Sequence, residues 1–335
     1  MSTPLRDYEF ELPRGRIAQR PAEPRDASRL LVLDRASGRT EHKVFSDLPR
    51  RLRPGDLLVL NDTKVVRARL RGRKPTGGRV EALLVCEEGD DWVCLVDARK
   101  VREGECFLFD DGIAATVIGR GSDGRWRLRF PAGIRKQLGR IGQVPLPPYV
   151  DRTPEEADEE RYQTVYAVHE GSIAAPTAGL HFTPELLARI REAGVQTAKI
   201  TLHVGPGTFA PVKAERAEDH RLEAEPYEVP PATAAAVESA RAEGRRVVAV
   251  GTTCVRVLES LARGAPASGA TDLFIHPPFE FRTVGAMVTN FHLPRGTPLL
   301  LVCALAGRER ILAAYAEAIR TGYRFYSYGD AMFIS

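Results

Sequence analysis

The stretch Ala174–Phe209 constrains the fold more than any other part of this 335-residue chain, because a loop, a helix, a strand and a second loop follow one another within it. Thr183 can cap the helix, Pro184 suits its first position, and Gly194 suits a left-handed end. The pattern therefore predicts a helix from Pro184 to Ala193.

A strand rich in β-branched residues follows from Gln196 to Val204 and is closed by Gly205-Pro206-Gly207. In an open sheet covered by helices, helix N-termini and the C-terminal ends of parallel strands lie at one edge, where ligands bind. If this strand is parallel to its neighbours, His181 and His203 face one crevice. We therefore take this edge as the candidate active site.

Two kinds of secondary-structure pattern divide the chain. Between Val65 and Val150, short alternating runs separated by hairpin-type turns predict a small antiparallel barrel or sandwich. The first of these runs is Val65–Leu70. Before and after this region strands alternate with helices, which predicts a layered α/β domain. One strand there feeds a loop at Gly251-Thr252-Thr253, and a helix is expected from Cys254 to Arg263.

Composition excludes several classes of protein. The five cysteines stand singly, without a C-x-x-C pair, so neither a disulfide framework nor a zinc site is expected. We expect Cys86 and Cys94 to be buried as small hydrophobic side chains. No apolar run approaches the ~20 residues of a membrane span, and the start lacks a secretory signal, so a cytoplasmic protein is expected. The net charge of +4 does not indicate a nucleic-acid binder by itself.

Three motifs closely resemble one known family. They are YQTVYA at Tyr162–Ala167, APTAGLHFT at Ala175–Thr183 and TLHVGPGTF at Thr201–Phe209. They are similar to the S-adenosylmethionine:tRNA ribosyltransferase-isomerases of queuosine biosynthesis, and the likeness extends roughly from Tyr8 to Ile334. The resemblance implies a β-barrel inserted into a layered α/β domain with a mixed sheet. We expect a large domain made of residues 1–64 and 151–335 and a barrel domain made of residues 65–150.

The resemblance also implies a reaction. The ribosyl part of S-adenosylmethionine would move onto 7-aminomethyl-7-deazaguanine at the wobble position of a tRNA anticodon, giving epoxyqueuosine with release of adenine and methionine. S-Adenosylmethionine would be a co-substrate, and no tightly bound cofactor or metal is expected. The partners are the tRNA and S-adenosylmethionine, and the protein is expected to be a monomer without membrane contact.

This chemistry requires positioned acids and bases. Histidine titrates in the useful range, so His181 and His203 are the preferred catalytic candidates. Asp62 and Asp330 are possible carboxylate partners for a sulfonium, an amine or a ribose hydroxyl, although each could simply cap a loop. None of these roles follows from the motifs alone.

Substrate-binding positions are predicted in the family-like motifs and at strand ends. Small residues there allow close backbone approach, although an ordinary strand-to-helix turn would look the same. Arg256 could pair with the methionine carboxylate or a tRNA phosphate, or form a surface salt bridge. The full predicted set is Thr177, Gly179, Gly205, Gly207, Thr208, Gly251, Thr252, Thr253, Arg256, Asn290 and His292.

The chain departs from the family pattern at two places. Cys254 stands where the family commonly has serine, so an essential thiol nucleophile is not expected. Glu223 occupies the position of a histidine in a run that usually resembles HKMHSE, while His220 and Glu225 match it. A role assigned to that histidine would not transfer to this chain.

A row of arginines is the candidate RNA surface. Period-two alternation places Arg67, Arg69 and Arg71 on one face of a predicted strand. Such a row is often only a solvated face, but an RNA substrate makes phosphate contacts an equal alternative.

Two alternative functions remain open. One is a non-catalytic tRNA-binding protein built on a barrel, and the other is an S-adenosylmethionine-dependent RNA methyltransferase. The loop after His203 does not open an apolar helix, as a Rossmann fingerprint should, which argues against the methyltransferase. The products formed from S-adenosylmethionine distinguish all three functions.

Overall fold

The computed structural model describes residues 3–209, 212 and 214–335, with side chains for all of these except Thr208 and Phe209. The strands are β1 (Arg29–Leu33), β2 (Thr40–Val44), β3 (Leu57–Asn61), β4 (Thr63–Val65), β5 (Arg69–Arg73), β6 (Arg79–Glu88), β7 (Asp91–Asp97), β8 (Cys106–Phe109), β9 (Ala114–Arg120), β10 (Trp126–Arg129), β11 (His169–Ser172), β12 (Gln196–Leu202), β13 (Glu225–Glu228), β14 (Val247–Val250), β15 (Ser268–Thr271), β16 (Val284–Asn290) and β17 (Ala331–Ile334).

The α-helices are α1 (Ile134–Ile141), α2 (Glu156–Arg161), α3 (Pro184–Glu192), α4 (Pro231–Ala242), α5 (Gly251–Leu261), α6 (Thr297–Ala306) and α7 (Arg308–Arg320). Short 3-10 helices span Leu5–Tyr8, Arg14–Arg16, Arg25–Ala27, Phe45–Arg50, Asp110–Gly112, Thr177–His181, Pro206–Phe209 and Ala217–Asp219. No helix in these described ranges is long and apolar enough to cross a membrane.

A nine-stranded mixed sheet forms the centre of the larger part, in the order β15-β13-β12-β3-β14-β16-β17-β1-β2. The four strands β12, β3, β14 and β16 are mutually parallel, whereas β17 runs antiparallel to β16. Strand β1 then pairs in parallel with β17. The predicted mixed sheet is confirmed.

Both faces of this sheet are covered, and strand β3 shows how. Its odd residues Leu57 and Val59 join a buried cluster with side chains of α4, α5, α6 and α7. Its even residues Leu58 and Leu60 join a second cluster with α3 and the 3-10 helix Phe45–Arg50. A strand buried on both faces reads as a continuous apolar run, as this one does.

The remaining antiparallel strands close a barrel in the order β10-β7-β6-β5-β8-β9. Alternate side chains point inward, so Leu70, Val80, Ala82 and Leu84 are buried within it while their neighbours along the strands are more exposed. The predicted inserted barrel is confirmed, and the sandwich alternative is wrong.

Three expectations from the sequence are wrong in detail. The predicted barrel strand Val65–Leu70 is two elements, because Val65 ends β4, which pairs with β11, and the barrel strand β5 begins only at Arg69. Gly251-Thr252-Thr253 is the first turn of helix α5 instead of a loop. Cys86 is exposed, whereas Cys94 is buried as expected.

Candidate active site

The site lies at one edge of the large sheet. Strands β3, β12, β14 and β16 end there, and the antiparallel strand β17 begins there, since Asn290 pairs with Ala331. Strand β1 begins at the same edge because Leu30 also pairs with Ala331. This topology brings together Asp62, His203 and residues from Gly251 onward, although they are far apart in sequence.

A cavity of about 420 Å³ opens at this edge. Six of the predicted substrate-binding residues line it: Thr177, Gly251, Thr252, Thr253, Asn290 and His292. The first turn of α5 forms part of its wall, so backbone N–H groups that lack intrahelical acceptors lie beside it. Helix N-termini of this kind favour anionic groups.

Asn290 is almost fully buried beside this cavity. Its side-chain amide donates to the carbonyl oxygen of Tyr326 at 3.0 Å, while its Oδ1 has no hydrogen-bond partner among the described residues. His292 is held by Thr289, whose Oγ1 lies 2.8 Å from Nε2, and burial lowers the pKa of His292 well below its usual value. Both side chains are therefore fixed, and His292 is neutral at pH 7.

Sequence reasoning missed the aromatic side of this cavity. The rings of Tyr149 and Tyr326 lie 4.0 Å apart between centroids, and the Tyr149 hydroxyl is 2.5 Å from Oγ of Ser327. All three residues line the cavity. Tyr326 adopts a left-handed backbone conformation with φ of 72°, which is uncommon for a non-glycine residue. Tyrosines in two irregular loops give no periodic signal, although the proline-rich run before Tyr149 marks a loop.

A larger cleft of about 880 Å³ separates the barrel from the sheet. Barrel residues such as Leu84 and Trp92 form one wall, and His203, Gly205 and Gly207 form the other. Val204 lines both the cleft and the smaller cavity, so the two spaces adjoin at this residue.

His203 is the predicted catalytic residue that opens onto this cleft. Its Nδ1 lies 2.8 Å from Oγ1 of Thr63. Burial, together with the nearby His169 ring, lowers the pKa of His203, while Asp62 opposes the shift. Gly171 packs against the ring, because a Cβ on that residue would lie 2.8 Å from Cε1 of His203. The imidazole is thus oriented, partly exposed and neutral at pH 7.

His181 lies at the same edge but does not face the same space, and in the part of the chain described here it lines neither cavity. Its Nδ1 is 2.7 Å from Oγ of Ser28, its Nε2 is 3.3 Å from Nδ2 of Asn290, and its ring stacks on Phe45. Burial, together with the nearby Arg324, lowers its pKa to about 3. The expectation of a shared crevice is therefore wrong, because local packing encloses His181.

The two aspartates are also enclosed. Asp62 accepts a hydrogen bond from Thr201 at 2.7 Å, and its Oδ2 lies 3.9 Å from Nε2 of His169. Asp330 accepts from the backbone N–H groups of Arg29 and Arg324 at 3.0 and 2.8 Å. Both carboxylates are buried and line neither cavity among the described residues. Their contacts match the loop-capping alternative.

Gly179 likewise serves packing. A Cβ built on it would lie 2.1 Å from the Tyr166 hydroxyl, so only glycine fits there. Thr208 lies in the 3-10 helix Pro206–Phe209, and its side chain is outside the described part of the chain.

Arg256 is neither at the surface nor on the wall of the 420 Å³ cavity, although it borders a small separate pocket together with Thr252 and Thr253. It is buried and forms an ion pair with Glu225, while its other guanidinium nitrogens donate to the carbonyl oxygens of Leu273 and Thr271 at 3.0 and 2.7 Å. Glu225 in turn accepts the backbone N–H of Gly205 at 2.8 Å. The surface salt bridge considered from the sequence is wrong. Arg256 anchors the strand-end loop after His203 instead.

The arginine row is already paired. Arg67 donates to the carbonyl of Gly139 at 2.6 Å and pairs with Glu159. Arg69 and Arg71 both approach Glu81, at 3.3 and 3.6 Å. Of the three, Arg67 lines the cleft. Across the described ranges, no group of three or more His, Cys, Asp or Glu residues is placed to hold a metal ion.

A mixed sheet with an inserted barrel, and two adjoining spaces where the strands end, define an α/β protein with a candidate binding site at the edge of its sheet. Residues 5–334 match the model of the queuosine biosynthesis protein family, so the chain belongs to that family.

Relatives cover almost the whole chain. The S-adenosylmethionine:tRNA ribosyltransferase-isomerase of Anaeromyxobacter sp. (strain Fw109-5) is 53% identical over 99% of both chains. The protein of the same name from Thermotoga maritima is 51% identical over 98% of both chains. The crystal structure of the S-adenosylmethionine tRNA ribosyltransferase from Thermotoga maritima aligns with a TM-score of 0.58 and 41% identity, covering 98% of this chain and 100% of that one.

Proposed function

We propose that this protein is an S-adenosylmethionine:tRNA ribosyltransferase-isomerase of queuosine biosynthesis. Membership of the family and the full-length relatives with that name support the activity. The observation that carries the proposal within the molecule is the junction of two spaces at Val204, one of about 420 Å³ and one of about 880 Å³.

S-Adenosylmethionine is assigned to the smaller cavity. Its volume of about 420 Å³ lies in the range of small-molecule sites. The rings of Tyr149 and Tyr326 offer an aromatic wall for adenine. The first turn of α5 offers N–H groups to the methionine carboxylate.

The anticodon is assigned to the larger cleft, with 7-aminomethyl-7-deazaguanine directed toward Val204. Single-stranded RNA bases are commonly unstacked and held by aromatic side chains and backbone contacts, and Trp92 lines the cleft. The ribose in one space and the amine in the other would then meet beside His203. This arrangement supports transfer and isomerisation to epoxyqueuosine with loss of adenine and methionine.

His203 is assigned as the general base. Its lowered pKa keeps the imidazole unprotonated at neutral pH, which is the form that accepts a proton. The hydroxyl of Thr63 fixes the orientation of the ring. Asp62 contacts Thr201 and His169, and Asp330 caps the backbone at the start of β17. Neither carboxylate is therefore assigned to the reacting atoms.

We further propose the division into residues 1–64 with 151–335 and residues 65–150, a cytoplasmic location, a monomeric state and no tightly bound cofactor. Gly205 and Gly207 would admit the backbone or base of the anticodon to the cleft wall. Each of these assignments extends the family relationship to this chain.

Product analysis tests the function. The protein is incubated with S-adenosylmethionine labelled in both adenine and methionine and with tRNA that carries 7-aminomethyl-7-deazaguanine. Release of adenine and methionine is the expected result. S-Adenosylhomocysteine would identify a methyltransferase, and tRNA binding without turnover would identify a binding protein, so either result would overturn the proposal.

A further inference from the structure

An ion pair between Arg125 and Glu223 crosses the larger cleft. Arg125 lies in the turn between β9 and β10 of the barrel, and Glu223 lies just before β13 of the large sheet. The guanidinium Nη2 donates to the Glu223 carboxylate, and both residues line the cleft. The pair therefore joins the two walls between which an RNA substrate would enter.

The two partners are held very differently. The Arg125 side chain is 18% exposed, whereas that of Glu223 is 51% exposed. The backbone of Arg125 is fixed in its turn, because its N–H donates to Asp123 at 3.0 Å and its carbonyl accepts from Gly121 at 2.8 Å. Both residues lie outside any helix or strand, so the difference between them lies in the more exposed side chain of Glu223. Arg125 is thus the fixed partner, and Glu223 is the one that can leave.

Glu223 also contacts the loop that follows His203. A Cβ on Gly207 would lie 3.4 Å from Cδ of Glu223, so the carboxyl group rests against that glycine. Two residues further on, Glu225 accepts the N–H of Gly205. A movement of Glu223 therefore acts on the cleft wall beside His203.

We infer that Arg125 binds an RNA phosphate in the cleft and that Glu223 forms an ion pair with the Arg125 guanidinium until RNA enters. This inference rests on the proposed tRNA substrate. Phosphate and carboxylate are alternative partners for the same planar donors, so an RNA phosphate can replace the Glu223 carboxylate on Arg125. The displaced Glu223 then releases both the barrel and Gly207, which couples RNA entry to the loop beside His203.

Two substitutions, each replacing one charged partner by uncharged glutamine, should have opposite effects on RNA binding and so test this exchange. The probe is a fluorescein-labelled anticodon stem-loop with an unmodified guanine, and its anisotropy is measured over a series of KCl concentrations. Glu223→Gln removes the carboxylate on Nη2 of Arg125 and leaves Asp123, whose Oδ2 lies 3.6 Å from Nε, as its remaining acidic partner. The variant is expected to tighten binding by up to about fivefold, the upper range of an exposed ion pair. Arg125→Gln is expected to weaken binding and to reduce the salt slope by ~0.7, as for one lost phosphate contact. The double variant should bind like Arg125→Gln.

A matched control removes the same charge elsewhere. Glu243 pairs with Arg245 at 2.7 Å with side-chain exposures of 56% and 23%, and Arg245 precedes β14 and so lies at the opposite edge of the sheet. Glu243→Gln should leave RNA affinity unchanged. If it tightens binding as much as Glu223→Gln does, net charge explains the effect and the inference is wrong.

Other outcomes also overturn the inference. If both single variants weaken binding, the pair is a structural link between barrel and sheet, and if neither changes affinity, Arg125 makes no phosphate contact. Thermal unfolding of each variant confirms that folded protein was compared. Adenine release by the unsubstituted protein with the modified tRNA is measured separately, so a failure of the proposed function is recognised independently.

Discussion

The buried ion pair between Arg256 and Glu225 gives a quantitative prediction. Their side chains are 8% and 5% exposed, and Glu225 also accepts the N–H of Gly205. Glu225→Gln keeps the volume but leaves the guanidinium of Arg256 buried with carbonyl oxygens and no anion. Removing one partner of a buried pair typically costs ~3–5 kcal/mol of unfolding free energy.

Thermal unfolding measures this cost. At about 2–4 °C per kcal/mol, the melting temperature should fall by roughly 6–20 °C. The control is Glu9→Gln, because Glu9 pairs with Arg295 at the surface, with side chains 55% and 40% exposed. An exposed pair contributes about 0.2–1 kcal/mol, so that variant should melt within a few degrees of the unsubstituted protein.

A second substitution separates the lost pair from a general packing defect. Arg256→Met combined with Glu225→Gln removes the unpaired charge, so the double variant should regain a large part of the lost stability. Two results would contradict this. One is a melting temperature of Glu225→Gln no lower than that of the Glu9 control, and the other is a double variant whose melting temperature falls further below that of Glu225→Gln. Either would show that the ion pair does not determine the stability of this region.

Three further predictions concern the candidate site. His203→Gln should slow single turnover by ~10²–10⁴ with both substrates still bound and should remove the acidic limb of the pH profile, whose midpoint lies below the usual histidine value; a near-normal rate would eliminate His203 as the base. His181→Gln should lower the melting temperature at pH 7. Because the folded-state pKa of about 3 is below the unfolded value, the unfolded chain binds more protons between about pH 6.5 and 3. The protein therefore loses stability as the pH is lowered through that window, and the variant should lose less. An unchanged pH dependence of the melting temperature would refute this. Joint replacement of Arg67, Arg69 and Arg71 by glutamine should weaken tRNA binding and flatten its salt dependence without changing S-adenosylmethionine affinity, whereas an unchanged salt slope would make the row structural.

Local patterns in the sequence predicted the elements that local physics determines. Helix α3 begins at Pro184 with Thr183 accepting the N–H of Leu186 at 3.1 Å, and Gly194 follows it with φ of +80°, as the capping rules require. The position of His203 at the end of a strand was equally readable, whereas the parallel direction of that strand was a condition of the prediction, which its pairing with β3 confirms.

Partners remote in sequence could not be predicted in this way. His181 was expected in the crevice, but Ser28 and Phe45, which lie more than 130 positions earlier, enclose it. Strand β17 also escaped prediction, since it is short and buried on both faces, without alternation. Tertiary contacts determined these features, and no periodicity within a short window carries that information.

The junction at Val204 indicates which side of the site adapts to substrate. Its N–H donates to Oγ of Ser172 at 2.7 Å and its carbonyl accepts from Ile173 at 3.1 Å, so β11 fixes the floor between the two spaces. On the other side, Glu223 lies outside regular structure and reaches the barrel through an exposed carboxylate. With the substrates placed as proposed, a fixed floor beside an adjustable wall would keep the ribose position constant while the cleft accepts the RNA. We therefore expect substitutions near Ser172 to affect turnover of bound substrates and substitutions at Glu223 to affect RNA affinity, which steady-state kcat and KM for tRNA would separate.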